Sequence, residues 1–220
     1  MDALNCIKTR KSIRKFKPET VPKEILIEVI ETAQRSPSYK NSQPWEVIII
    51  SGKEKDELSR LLVGLLEENE VKKPDIPEPT GWPAPVEERI KSTLDNRSKL
   101  FHIDLTDPEN IKRSKKANFR FYGAPHAIFF YQDASLNEWS ILDMGMFIQS
   151  VMLAANAKGL GTVPQAYLTD YSGEVRQFLG IADSKRLVLG MSIGYADMDD
   201  KINSAMTGRE DLEKIVHWIE

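Results

Sequence analysis

The densest chemistry in the sequence lies in Arg10-Lys11-Ser12-Ile13-Arg14-Lys15-Phe16, where guanidinium groups, a hydroxyl and backbone donors fall within a few residues of a helix end. Forked guanidinium groups beside a hydroxyl suit a phosphate. The same run also fits a solvated surface stretch or a nucleic-acid arm, and taken alone it does not choose between them. A second stretch runs from Ser36 to Trp45 and is stiffened by Pro37 and Pro44. Its Ser38, Asn41 and Gln43 side chains match the carbonyl and imide edge of a planar heterocycle, with Trp45 as a core anchor; an ordinary polar loop shares that composition. A third stretch, Gly159 to Ala166, carries glycines that let a backbone approach a ligand closely. It is not a dinucleotide-binding turn. Pro164 takes the place of the third glycine, and the run leaves a helix to enter a strand, the reverse of the required order.

Other patterns carry less. Gly190-Met191-Ser192-Ile193-Gly194 has the spacing of a hydrolase nucleophile elbow, but no helical pattern follows Ser192, so it reads as a central strand bearing glycines. His102, His126 and His217 are scattered without metal-ligand spacing, and no metal site is expected. Cys6 reads as a small apolar helix residue. As the only cysteine it forms no internal disulfide, which suits a reducing, cytoplasmic compartment.

These stretches must be positioned by regular elements. Asp2 is placed to cap a first helix with an apolar face of Ala3, Leu4 and Ile7. Pro22 opens a second helix, whose apolar residues Ile25, Leu26, Val29, Ile30 and Ala33 recur at helical spacing. The run 47–50 reads as a buried strand, and Leu58, Leu61, Leu62, Leu65 and Leu66 mark a third helix. Five prolines between Pro74 and Pro85 open a charged excursion, residues 72–120, expected to carry two helices and to cover a site. A strand is expected at 127–131. A long helix follows, residues 136–158, with a capping box at Ser135 to Glu138 and apolar side chains on nearly every side, which implies burial all round. Strands at 162–168 and 187–195 flank a helix at 174–179 stopped by Gly180, and the tail ends in a short helix.

The 220 residues, 41% of them apolar, suffice for one domain, and no linker or repeat divides 1–220. A net charge of −3 and a pI near 5.8 give no general attraction for nucleic acid or an anionic membrane. Six basic residues between Lys8 and Lys17 precede no apolar stretch, so neither a signal peptide nor a membrane anchor is expected there.

Taken together, Arg-x-Ser-x-Arg-x-Phe at 10–16, Pro-Ser-x-x-Asn-x-Gln-Pro-Trp at 37–45, Gly-Leu-Gly at 159–161 and Thr207-Gly208-Arg209 resemble the FMN-dependent nitroreductases nearly end to end. The resemblance implies an α+β fold with a central, mostly antiparallel sheet flanked by helices. It also implies a homodimer with two FMN sites at its interface and a C-terminal segment extending onto the partner subunit. By position, Arg10, Ser12 and Arg209 would hold the FMN phosphate and ribityl chain, and Arg14 would approach the pyrimidine edge. Pro37, Ser38 and Tyr39 would come from the neighbouring subunit, Asn41 and Gln43 would meet the ring, and the backbone of Pro164, Gln165 and Ala166 would lie near flavin N5. NADH or NADPH would be the electron donor and a small acceptor, such as a nitroaromatic or quinone, the oxidant. A reductive dehalogenase, another metabolite-specific reductase and a non-catalytic flavin-binding protein are the alternatives. The sequence departs from better-known members at Gln165 and Ala166, where many carry glutamate and glycine, and at Thr207-Gly208, where a second basic residue is usual.

Overall fold

The computed structural model describes residues 2–220. Its frame is a four-stranded sheet made of β1 (Glu46–Ser51), β2 (His126–Asp133), β3 (Gly161–Gln165) and β4 (Lys185–Gly194), in the order β1-β2-β4-β3 with every pairing antiparallel. The strands alternate between two cores with the period of two that a pleated sheet imposes. On β2, Ala127 and Phe129 enter one core while Ile128 and Phe130 enter the other. On β1, Ile48 and Ile50 oppose Val47 and Ile49 in the same way.

Helices cover both faces, which is why the strands read as unbroken apolar runs. The first core includes Leu58 and Leu62 of α3 (Gly52–Glu67), Phe119 of α5 (Pro108–Phe119) and Val175 of α7 (Ser172–Leu179). The second packs Leu26, Val29 and Ala33 of α2 (Lys23–Ala33) against Met144, Phe147, Ile148 and Val151 of α6 (Glu138–Ala157). Helices α1 (Ala3–Thr9) and α4 (Ala84–Phe101) lie further out.

Several local expectations hold. Asp2 accepts a hydrogen bond from the Asn5 amide at the start of α1, and Asp107 accepts one from the Asn110 amide with Pro108 in the first turn of α5. Gly180 ends α7 at φ 67°. Three expectations are corrected. Helix α6 is capped by Asn137, whose side chain accepts from the Trp139 amide; Ser135 instead bonds Asp133, so the expected capping box does not form. Strand β3 stops at Gln165, because the chain then turns through a 3-10 segment, Ala166–Thr169, that lays Leu168 over Gly190. A Cβ on Gly190 would stand 2.5 Å from Leu168, so this glycine serves packing, and the Gly-x-Ser-x-Gly run is continuous strand. The apolar face of α1 is exposed, with Leu4 at 69% and Ile7 at 54%, and Cys6 is the residue the helix buries. Helix α6 is not covered all round: Trp139 and Leu142 are more than half exposed, and with Met146 and Leu153 they form an outward apolar stripe at helical spacing. By length and composition alone α6 could cross a bilayer, but its other face is core.

His126 at the start of β2 gives the fold a pH dependence. Its Nε2 accepts the Val21 amide at 2.9 Å, which needs a neutral ring, and burial lowers its pKa from 6.5. A depressed folded pKa contributes stability that is complete above the unfolded value of 6.5 and is lost as pH falls through the folded value. Urea midpoints measured between about pH 5 and 7.5 should fall on acidification. In His126→Gln, which keeps an acceptor but does not titrate, that part of the slope should disappear; an unchanged slope would remove His126 as its source.

Candidate active site

Edge strand β3 is closed by the N-terminal segment. Ser12 bridges Thr162 in parallel, and the Ile13 amide donates to the Thr162 carbonyl at 2.9 Å. Ile13 lies directly over Gly161, where a Cβ would stand 2.7 Å from its side chain. The glycine run expected to meet a ligand therefore admits Ile13 first, and it brings Arg10 to Phe16 beside Gly161 to Ala166.

Asn203, which the sequence reading passed over, fixes this segment to the C-terminal chain. Fully buried, it accepts the Arg14 amide at 2.7 Å and donates to the carbonyls of Lys15 and Asp197, each at 2.8 Å. Lys11 reaches the Asn203 carbonyl at 2.5 Å. Phe16 pairs with Ala196 just past β4, so residues 10–17 are held at both ends.

Arg14 then lines a cavity of about 310 Å³ with the stretch 163–167, Leu94 and Arg97 of α4, Asn110, Ile111, Ser114 and Asn118 of α5, and Tyr122. Burial pushes the Tyr122 phenol up and keeps it a neutral hydrogen-bonding group beside Arg14. Arg97 is held down from its ordinary pKa by burial first and by Arg14 second, and its Nε is shielded from solvent without a hydrogen-bond partner. Among the described residues no Asp or Glu lines this cavity. Two guanidinium groups without a counter-charge, beside polar side chains and strand backbone, fit an anionic or electron-rich planar ligand.

The Gln165 side chain turns away from the opening. It is 2% exposed, donates to the Asn118 carbonyl at 3.0 Å and accepts from the Ser192 hydroxyl at 2.5 Å. It therefore joins β3, β4 and α5, and Ser192 is occupied as its donor, with no nucleophilic role in view. Pro164 and Ala166 line the cavity on either side of it.

The polar loop 37–45 lies elsewhere in the chain. Both carboxylate oxygens of buried Asp143 on α6 accept the Tyr39 amide at 3.0 Å, and the Gln43 amide donates to Ser38 Oγ at 2.9 Å. Lys40, Asn41 and Gln43 have positive φ, so this backbone is a built shape. Tyr39 stacks on Trp139 with centroids 5.6 Å apart, and Trp45 stacks on Phe147 at 4.7 Å as a core anchor, as expected. Pro37, Tyr39, Asn41 and Gln43 are exposed and do not line the Arg14 cavity. Arg209 is also exposed, bonded to Thr207 and Gly208, and lines a separate cavity of about 660 Å³ with Arg89, Arg97 and Met206 that Arg10 and Ser12 do not line. Asp143, Asn203, Arg97, Asn118 and Tyr122 had no signature in the sequence, since each acts through contacts with distant segments.

Removing Asn203 tests whether it holds the Arg14 segment. Asn203→Ala leaves the Arg14 amide and the Asp197 carbonyl unpaired, while the Lys15 carbonyl keeps the Asp197 amide at 3.1 Å, and urea unfolding should report a loss of about 2–4 kcal/mol, at roughly 1–3 kcal/mol per stranded buried group less relaxation. A loss below about 0.5 kcal/mol would mean that the strand pairing holds the segment without it.

Comparison with known proteins gives a consistent result. The model of the Nitroreductase family matches residues 7–195. A 4-nitrobenzoate reductase of Pseudomonas putida is 32% identical over 97% of this chain and 93% of its own. Nitroreductase NfnB of Mycolicibacterium smegmatis is 34% identical over 96% of this chain and 90% of its own. The crystal structure of the FMN-dependent nitroreductase NfnB from Mycobacterium smegmatis in complex with NADPH superposes with a TM-score of 0.94, at 32% identity, over 99% of this chain and 98% of that one. With the antiparallel sheet, the Arg14 segment and the family match extending from α1 to the end of β4, this chain belongs to the Nitroreductase family.

Proposed function

We propose that the protein is an NAD(P)H-dependent FMN oxidoreductase that reduces small nitroaromatic acceptors. The observation that carries this reading is the Arg14 cavity, in which Arg14, its amide held by Asn203, lines a space together with residues 164–166 and no carboxylate. When bound, FMN would take a hydride from the nicotinamide and return the electrons to the acceptor. For a nitro group the balance is two electrons and two protons, giving a nitroso group and water while NAD(P)H becomes NAD(P)⁺. The nicotinamide leaves before the acceptor enters the same cleft.

The chain's own groups bind and orient. Arg14 would face the pyrimidine edge, where negative charge accumulates, and the backbone of Pro164, Gln165 and Ala166 would line the ring. Arg10, Ser12 and Arg209 would take the phosphate and ribityl chain. In the single chain Arg209 bonds only its neighbours, so its engagement requires the C-terminal segment to move or the dimer to form. The loop at Pro37, Ser38, Tyr39, Asn41 and Gln43, pinned outward on α6 by Asp143, would reach the site of a second subunit.

A homodimer follows from the same surfaces. Trp139 and Leu142 on α6, Leu4 and Ile7 on α1, and Leu212, Ile215, Trp218 and Ile219 in the tail all stand exposed, Trp218 at 85% and Ile219 at 97%. Covering them would take a large hydrophobic interface, with the tail reaching onto the partner. The partners are thus a second copy and small molecules, with no nucleic acid and no membrane, in the cytoplasm.

The protein should purify yellow. Chromatography of the chromophore released by denaturation should give FMN; FAD alone, or no flavin after supply of FMN, would refute the cofactor assignment. Sedimentation at micromolar concentration should give a dimer, and an active flavin-loaded monomer would refute the shared site. Arg14→Ala should slow stopped-flow reduction by NADPH, normalised to bound FMN, by about 30- to 1000-fold, the roughly 2–4 kcal/mol of one preorganised electrostatic group. Ser192, Cys6, His102 and His126 variants with full FMN should retain their rates, because none is an acid, base or nucleophile in this scheme.

A further inference from the structure

Two aromatic residues hold a backbone conformation that bulky side chains rarely adopt, and one of them lines the Arg14 cavity. Phe121 and Tyr122 have φ of 53° and 52°, ahead of Gly123 at 77°. Left-handed backbone away from glycine is strained and persists only where its surroundings determine it. Phe121 is fully buried and meets Phe129 of β2 edge-on, with ring centroids 6.4 Å apart, and its carbonyl accepts the Ala124 amide at 2.9 Å. With Phe121 committed to the core, Tyr122 lines the cavity, and Tyr122 and Arg14 together also line a neighbouring groove of about 650 Å³. The pair therefore stands together where cavity and groove meet. The polar groups that act on the phenol are Arg14, Arg97 and Asn118, and Arg14 and Asn118 present N–H donors to its oxygen. A phenol oxygen has two acceptor positions and one proton to give, so these donors engage the oxygen and leave its own O–H for an acceptor that a ligand brings. Burial holds the phenol neutral, which keeps that proton in place. Tyr167, the other tyrosine in the lining, belongs to a separate charged cluster: the ammonium groups of Lys72 and Lys115 each stand 5.5 Å from its ring centroid, and the carboxylates of Asp170 and Glu78 act on it as well.

We propose that the Tyr122 hydroxyl is a second donor to the pyrimidine edge of the flavin, given to the C2 oxygen beside Arg14, and that the strained turn at Phe121 and Tyr122 exists to aim it there. The hydride from NAD(P)H carries two electrons and one proton to the flavin, NAD(P)⁺ departs, and the negative charge left on the flavin gathers at that edge. A hydrogen bond to the C2 oxygen strengthens as the charge builds, so it favours the reduced cofactor over the oxidised one. No proton moves from Tyr122, and the electron balance stated above is unchanged. Arg14 supplies charge to that edge, and Tyr122 adds a directed neutral donor. The inference rests on the FMN reading and on Arg14 facing the pyrimidine edge.

The test is a redox titration of the FMN-loaded protein, wild type against Tyr122→Phe, which removes the hydroxyl and keeps the ring. Reduced FMN should bind about tenfold more weakly relative to oxidised FMN in the variant, the scale of one hydrogen bond to a charged group. For a two-electron couple that tenfold change is a midpoint about 30 mV more negative. With FMN carrying ¹³C at C2, the infrared band of the C2 carbonyl should lie at higher frequency in Tyr122→Phe than in the wild type, since a hydrogen bond to the oxygen weakens the C=O bond. An unmoved midpoint with an unmoved C2 band overturns the proposal. Equal weakening of oxidised and reduced FMN, which leaves the midpoint where it was, also overturns it and assigns Tyr122 to packing alone. Should Tyr122→Phe fail to fold or to hold FMN, 3-fluorotyrosine incorporated into Tyr167→Phe protein keeps the ring and hydroxyl and makes the phenol a stronger donor. At pH 7 the midpoint should then become less negative than in the same protein with ordinary tyrosine, and no change overturns the inference. A wild-type chain that binds no flavin refutes the cofactor assignment itself, whereas a flavin-loaded chain indifferent to Tyr122 refutes this inference and leaves that assignment standing.

Discussion

The closure of the β3 edge by the N-terminal segment is the contact on which the site depends. An edge strand presents unpaired amides and carbonyls, and here Ser12 and Ile13 take them up along Gly161 and Thr162. The geometry is possible because Gly161 lacks a Cβ, so Ile13 can rest on the strand backbone and stay buried. Once Ile13 is seated, Arg14 is displayed into the cavity, and Asn203 prevents it from swinging out. The stability of an edge and the aim of a guanidinium group are thus one structural fact.

The second constraint is polar. Three buried side chains, Gln165, Asn118 and Ser192, bond to each other across β3, α5 and β4. Such a network is costly if broken and specific if whole, because each stranded amide or hydroxyl costs its desolvation. It ties the excursion of 72–120 to the sheet. At the other end of that segment Asp75 accepts the Leu187 amide at 2.7 Å and pairs with Arg176, so the proline-rich stretch is clamped against β4 and α7. The excursion can cover a site because both its ends are fastened. Between them α4 buries no residue fully.

Asp143 plays the matching part on the far face. A carboxylate inside a helix-packed core requires donors, and the Tyr39 amide supplies them to both of its oxygens. The loop after Tyr39 then runs through left-handed backbone at Lys40, Asn41 and Gln43, a conformation kept only where surroundings determine it. Loop and cavity are thus built in separate places of one chain.

What the sequence by itself determined follows from interactions that are local or periodic. Alternation and apolar runs gave the four strands, helical spacing gave α2, α3 and α6, and Asp2, Asp107 and Gly180 marked ends through bonds to neighbours a few residues away. The order of short motifs gave the family, because the residues of each motif act on one another or on a common ligand. Only the tertiary structure decided that Gly161 is glycine for Ile13, that Ser135 is not a cap, and that Gln165 points into the core. It alone showed that α1 and α6 leave apolar faces open. Asn203, Asp143 and Asn118 were illegible for the same reason: their partners lie tens to nearly two hundred residues away, and a lone polar residue in sequence carries no sign of whether it will meet water or a buried amide.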